Sequence, residues 1–408
     1  MSVESSLSIR YQKAGWLSWA ALTVVVTLVV ARSIAIGEER SVTPSYRSAV
    51  WNWFAGEPLY NMQGHGFLYL PQAALVFAPW AMLPHAASEL VWRWSMIAVL
   101  AASVVRLTRL LNRDGRWFFA VSAVTTVLAW GCARNGQSTL LITGMMILAV
   151  ADLSEQRWWR ATLLLTLAFA FKPLVIVLIL LAAVLYPHMS WRLTLGMAFV
   201  AVLPFLTQRP EYVLSQYVAC QENLKITFEV GETGHWAQLF GMLQVAGIEI
   251  PSTARTATRL VAAIGTLLAC WQGVRKLPSP RAAFYLFALA SCYLMLFNSR
   301  TEGNTYTMIG PVYGALLAEA AFYQQNRRAT GWMITAVVLT VANYELAVLV
   351  TPRPSAIWIS PLVCVGVSGY LVLRLIQEIQ TASRHPSSGD AETVAAETVA
   401  ASLPSQAA

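Results

Sequence analysis

Apolar runs of nearly membrane length recur along the whole chain, separated by short clusters of arginine and proline. Trp16 to Ala31, Trp332 to Val350 and Ile357 to Leu373 approach the roughly 20 residues a helix needs to cross the hydrocarbon core. None of these runs alternates with the period of two that a membrane strand requires, so they are helices. Only 12% of residues are charged and 57% are hydrophobic, against about 25% charged in soluble domains. The sequence therefore predicts an all-α, polytopic membrane protein with about twelve transmembrane helices. Residues 1–376 form one membrane-embedded domain, and no room is left for a large soluble module.

A net charge of +8 would point to nucleic acid in a soluble chain. Here the basic residues lie between apolar runs and act as topology signals, so no nucleic-acid partner is expected. Arg10 and Lys13 hold the N-terminus in the cytoplasm. The run from Ala161 to Tyr186 is broken by Lys172-Pro173. Read as two short helices meeting there, it keeps Arg192, Arg275, Lys276, Arg281, Arg327 and Arg328 inside, as the positive-inside rule prefers. Three outer loops follow from this topology, over 37–87, 207–254 and 298–305. The tail, 377–408, repeats AETVA at 391 and 396; it has too little apolar surface to fold and reads as disordered and cytoplasmic. A multi-pass plasma-membrane protein with both termini inside is the result.

Chemistry is expected where charge meets membrane depth, because ionisable groups there are costly. Lys172 is flanked by apolar sequence on both sides and can meet a lipid phosphate as a point charge; the plain alternative is a lysine that snorkels to the surface. The string Asn298 to Tyr306, NSRTEGNTY, is dense in donors and acceptors. In it Arg300 suits a phosphate, Glu302 a hydroxyl proton, and Asn304 and Tyr306 a sugar; the alternative is an ordinary turn with a surface ion pair. Gln137, in the turn after Arg134, can bond a sugar or phosphate. The first outer loop adds Arg47, Tyr60, His65 and Tyr69, whose rings could equally be an interfacial aromatic belt. Its Gly56, Gly64 and Gly66 exceed what a belt needs. Five cysteines without paired spacing, and His65 and His235 without ligand spacing, predict neither metal nor cofactor.

In order, YRSAVWNWFAGEPLY, GFLYLPQAALVFAPWAMLP, a hairpin turn with Gly136-Gln137 and Lys172-Pro173 inside an apolar run resemble the polyprenyl-phosphate-mannose-dependent mannosyltransferases of phosphatidylinositol mannoside synthesis and their uncharacterised relatives. These belong to the C-type membrane glycosyltransferase superfamily. The resemblance implies an inverting transfer of a hexose from a polyprenyl-phosphate sugar donor to a lipid or glycan acceptor at the outer face, among membrane lipids. Lys172, Arg300 and Arg47 would hold the donor phosphate. The family's activating aspartate, counted back from Tyr60, would fall at Val42, between Ser41 and Thr43, and it is missing. The three aspartates, Asp114, Asp152 and Asp390, all fall inside. Glu302 is the first replacement, with Glu38 or Glu39 second. The alternatives are an inactive lipid-binding scaffold of the same fold and a polyprenyl-lipid or solute transporter. A transporter would show internal repeats and paired broken helices, and only 161–186 is interrupted.

Overall fold

A computed structural model of the chain describes residues 3–38, 40–61, 66–233, 236–351 and 357–384. No strand occurs among them. Seven helices are long and apolar enough to cross a membrane, and four shorter apolar helices accompany them.

The bundle forms around α5 (Gly115–Asn135). It packs against α1 (Val3–Ile36) on one side and α14 (Gly310–Ala318) on another. Asp114 starts it by accepting hydrogen bonds from the Arg116 and Trp117 amides, which satisfies two of the donors a helix leaves open at its N-terminus. Trp19 of α1 donates to Ser122 at 3.0 Å, a side-chain bond of the kind that joins helices where burial of apolar surface gives no preference for protein over lipid.

Between α1 and α5 the first loop folds into α2 (Thr43–Ala55) and α3 (Gln72–Ala81), the latter too short to span, and is followed by α4 (His85–Leu110). After α5 comes α6 (Thr139–Ser154), apolar on every face and buried on nearly all of them, as such a helix must be when it sits inside a bundle.

The interrupted run resolves into α7 (Trp158–Phe171), a 3-10 turn at Pro173–Val175, and α8 (Ile176–Leu185). The chain turns back at the break. Trp158, which starts α7, has its ring centre 6.0 Å from that of Tyr186 and 5.5 Å from that of His188, which follow α8. The next helix, α9 (Pro187–Val202), then runs alongside α7, with Met189 against Thr162.

The second long loop contains α10 (Pro210–Thr233) and α11 (Leu239–Val245). The final helices are α12 (Ser252–Lys276), α13 (Ser279–Phe297), α14, α15 (Arg327–Val341), α16 (Asn343–Ala347) and α17 (Ile359–Arg384). Helical structure continues past residue 377, which corrects the tail boundary. Glu378 bonds Arg281, Arg374 and the Tyr285 hydroxyl, so its charge is satisfied within the bundle and the helix need not stop where the apolar run does. Residues 385–408 lie outside the described part. The five cysteines are free and buried.

Candidate functional site

The break at Lys172 follows from local chemistry. Pro173 lacks an amide proton and pushes the preceding residue out of the helical region; Lys172 accordingly has φ −154° and ψ 120°. Its side chain is left at the apex of the α7–α8 hairpin, half-buried, and makes no hydrogen bond or ion pair among the described residues. It lies within electrostatic reach of Glu302, Cys132 and Arg300.

Those last charges come from the turn joining α13 to the 3-10 segment Gly303–Ile309. Glu302 caps that segment, its amide donating to Thr305 Oγ1 at 3.3 Å while its carboxylate accepts from the Thr305 amide. The same carboxylate accepts from Gln137 Nε2 at 2.7 Å. Arg300 lies over the Trp236 ring, 4.6 Å from its centre, and the Ala237 amide donates to the Thr301 carbonyl at 2.8 Å. Asn304 reaches back against Gly131 of α5. Lys172, Arg300, Glu302, Gln137 and Asn304, chosen from separate parts of the sequence, thus converge at one end of the bundle.

Tyr69 belongs to the same cluster. Its hydroxyl is 2.9 Å from that of Tyr46, and its ring is close enough to Glu302 and Arg300 to share their field. The other expected ligands are placed differently. Tyr60 is 6% exposed and donates to the Tyr69 carbonyl at 2.7 Å. Tyr306 is 1% exposed and donates to the Ala237 carbonyl at 3.1 Å. Both hydroxyls are used to hold backbone. Arg47 donates to the Leu83 carbonyl at 3.0 Å, pinning the first loop, and is not bonded into the cluster. Glu38 is exposed on the rim of a separate cavity. Glu39 and His65 lie outside the described residues.

Sequence reasoning passed over a buried ion pair on α4. Arg93 Nη1 meets Glu89 Oε2 at 2.6 Å, and both side chains are 1% exposed. Ser41 also donates to Glu89 Oε2, at 2.9 Å, while Arg93 Nη2 donates to the Arg134 carbonyl at 2.9 Å. Trp92 Nε1 donates to the Gly136 carbonyl at 2.8 Å. Gly136 has φ +68°, and a Cβ there would fall 2.6 Å from Thr43 Oγ1 and 3.1 Å from Arg93 Nη2; only glycine permits both the turn and the approach. The available signal was the four-residue spacing of Glu89 and Arg93 at a helix start, which on its own describes many solvated pairs.

Residues 67–299, more than half of the chain, match the family model described as Glycosyltransferase family 87, a membrane glycosyltransferase family of the C type. The matched span contains Tyr69, Glu89, Gln137 and Lys172. No curated protein matches the chain, and no solved structure does.

Proposed function

The chain belongs to glycosyltransferase family 87 and is a membrane glycosyltransferase, and we propose that it moves a hexose, mannose first among them, from a polyprenyl-phosphate donor to a lipid or glycan acceptor with inversion. The observation that carries this reading is Lys172, a half-buried cation without a bonded partner at a hairpin apex. Holding such a group near membrane depth costs free energy unless a ligand compensates it. Directly along α8 from it begins an apolar groove lined by Val177, Leu181 and Val184, with Ile264 and Leu267 of α12 and Tyr293 of α13 opposite. A polyprenyl chain entering sideways from the bilayer would lie in that groove with its phosphate at Lys172 and Arg300.

Catalysis on this reading is chiefly electrostatic. As the bond from the anomeric carbon to the phosphate oxygen breaks, negative charge grows on the departing phosphate, and fixed cations already in place stabilise it without reorganisation. Glu302, held by Gln137 and by its own cap, keeps the turn in position and sets the field at Lys172. On this reading the twelve crossings would be the seven long helices, α6, the two arms of the hairpin, the helical segment 303–323 that contains α14, and α15, the short ones being accommodated by local thinning of the bilayer. Arg106, Arg157, Arg192 and Arg281 gather at the end away from Lys172, which supports a plasma-membrane orientation with both termini inside and the site outside.

The test is the purified protein in lipid nanodiscs, given polyprenyl-phosphate mannose labelled in the sugar and a lipid extract of membranes as acceptor. Labelled product and free polyprenyl phosphate should appear together. If wild type releases no polyprenyl phosphate with this donor or its glucose counterpart, the donor assignment fails.

A further inference from the structure

A second cavity, about 190 Å³, opens at the same end of the bundle, walled by Val30 and Ser33 of α1, Ser41, Glu89 and Arg93 of α4, and Arg134 of α5. We propose that it receives the reacting hydroxyl of the acceptor and that Glu89 is the base that takes its proton, an inference that rests on the polyprenyl-phosphate reading above.

Three observations carry it. Glu89 is 1% exposed, and while Oε2 is held by Arg93 and Ser41, Oε1 is buried with no partner. A buried carboxylate oxygen without a partner is costly; Glu89 lines the cavity, so a small turn of its side chain lets a ligand that can donate complete Oε1. A hydroxyl does so, whereas a phosphate or carboxylate would be repelled.

Position is the second. The Lys172 cluster and the Glu89 cavity share the turn from Arg134 to Gln137. Arg93 and Trp92 bond the Arg134 and Gly136 carbonyls on one side, and Gln137 bonds Glu302 on the other. The Trp92 ring also packs, tilted, with its centre 5.7 Å from that of Phe171, the residue before Lys172. The two sites are therefore adjacent but separate, as donor and acceptor must be.

The third is stereochemical. In an inverting displacement the base stands on the face of the sugar opposite the departing group. Glu302 shares the field of Lys172 and Arg300, which places it with the departing phosphate; Glu89 is across the turn from them. The step balances. Glu89 Oε1 takes the hydroxyl proton, the acceptor oxygen forms its bond to the anomeric carbon, and the phosphate leaves with the electron pair of the broken bond. The proton then passes from Glu89 to water. Arg93 and Ser41 are positioning residues that fix the carboxylate through its other oxygen.

The experiment uses the nanodisc assay with labelled polyprenyl-phosphate mannose and membrane lipid extract. Glu89→Gln should lower the rate at saturating donor by about 100-fold or more and leave donor affinity unchanged. Glu89→Ala should regain rate on addition of formate, which a purely structural role would not allow. Active wild type with a Glu89→Gln variant that keeps the wild-type rate overturns the base assignment alone; inactive wild type overturns the functional reading and this inference with it. Should the Glu89 variants fail to fold, Ser33→Trp fills the cavity and leaves the ion pair intact. It should raise the extract concentration giving half-maximal rate about tenfold at constant donor KM, and an unchanged value overturns the proposal.

Discussion

The two ends of the helix bundle use charge in opposite ways. At the end away from Lys172 the buried carboxylates are surrounded by arginine. Asp152, 1% exposed, lies 3.3 Å from Arg160 and 3.8 Å from Arg106, which also pairs with Glu155. Glu319 bridges Arg113 at 2.6 Å and Arg281 at 3.3 Å, and Arg281 reaches Glu378 on α17. Asp114 holds Arg116 at 2.8 Å and accepts from the Tyr323 hydroxyl at 2.7 Å. At the other end Lys172 is unbonded and Glu89 keeps one oxygen open. One end spends its charge on joining helices, whereas the other holds it ready for something not yet bound. Substitutions should therefore separate into losses of stability at the first end and losses of turnover at the second.

The largest effect is expected at Lys172. Lys172→Met keeps the length and apolar stem of the side chain but removes the cation, so turnover should fall about 100- to 1,000-fold, or about 3 to 4 kcal/mol of transition-state stabilisation. The melting temperature in detergent should hold or rise, since a charge without a partner is removed. A variant with near-wild-type turnover, or one that loses activity only because it unfolds, would erase the contrast between the two ends.

Arg281→Ala should do the reverse. It strips Glu378 and Glu319 of a shared partner at a partly buried junction of α13, α17 and the segment after α14, and charged hydrogen bonds of this kind contribute about 2 kcal/mol. Thermal unfolding followed by tryptophan fluorescence should shift down, while turnover per folded molecule stays at the wild-type level. Loss of turnover without loss of stability would mean that the inner network also serves the chemistry.

How much of this was legible differs between the same two ends. The break at Lys172-Pro173 could be read because it rests on one residue's missing amide and its neighbour's charge, both local properties. The convergence of Gln137 on Glu302 could be guessed only as two polar turns at one membrane face; that they touch depends on how the 3-10 segment Gly303–Ile309 packs against α5 and α6. Tyr60 and Tyr306 look available in the sequence as phenols in polar loops, and nothing in it shows that the Tyr69 and Ala237 carbonyls accept from them. Glu89 and Arg93 were invisible for the opposite reason. Their four-residue spacing suits a solvated helix face, and only the closure of Ser41 and the Arg134 turn over them puts the pair in the interior. The end of α17 was read short because Glu378 looks like the start of a polar tail until Arg281 is placed beside it.

Gly131→Ala probes the active end more gently. A Cβ there would lie 2.3 Å from Asn304 Oδ1, so Asn304 and the turn that carries Glu302 and Arg300 must shift. Displacing a catalytic constellation by a fraction of an ångström to one ångström costs up to about 100-fold in rate. A roughly tenfold drop in turnover is expected, with little change in melting temperature because alanine suits a helix interior better than glycine. Equal losses of both would show that the turn is part of the structural core.

Acid should distinguish the ends last and least. Burial works to raise the Asp114 pKa, but the hydrogen bonds from Tyr323, Arg116 and the Trp117 amide, with the Arg116 charge, leave it below the ordinary carboxylate value. Glu155 is also held low, by the hydrogen bond from Arg106 against a smaller opposing effect of burial. A carboxylate with a depressed folded pKa contributes stability that is fully present above its unfolded value, about 4, and is lost as pH falls through the folded value. The melting temperature should therefore be flat on the neutral side of pH 5 and decline below about 4. Asp114→Asn, which keeps an N-cap acceptor without a titrating charge, should start lower at neutral pH and lose less on acidification. If its decline parallels that of wild type, the acid sensitivity arises elsewhere, and the paired end is not where the fold first gives way.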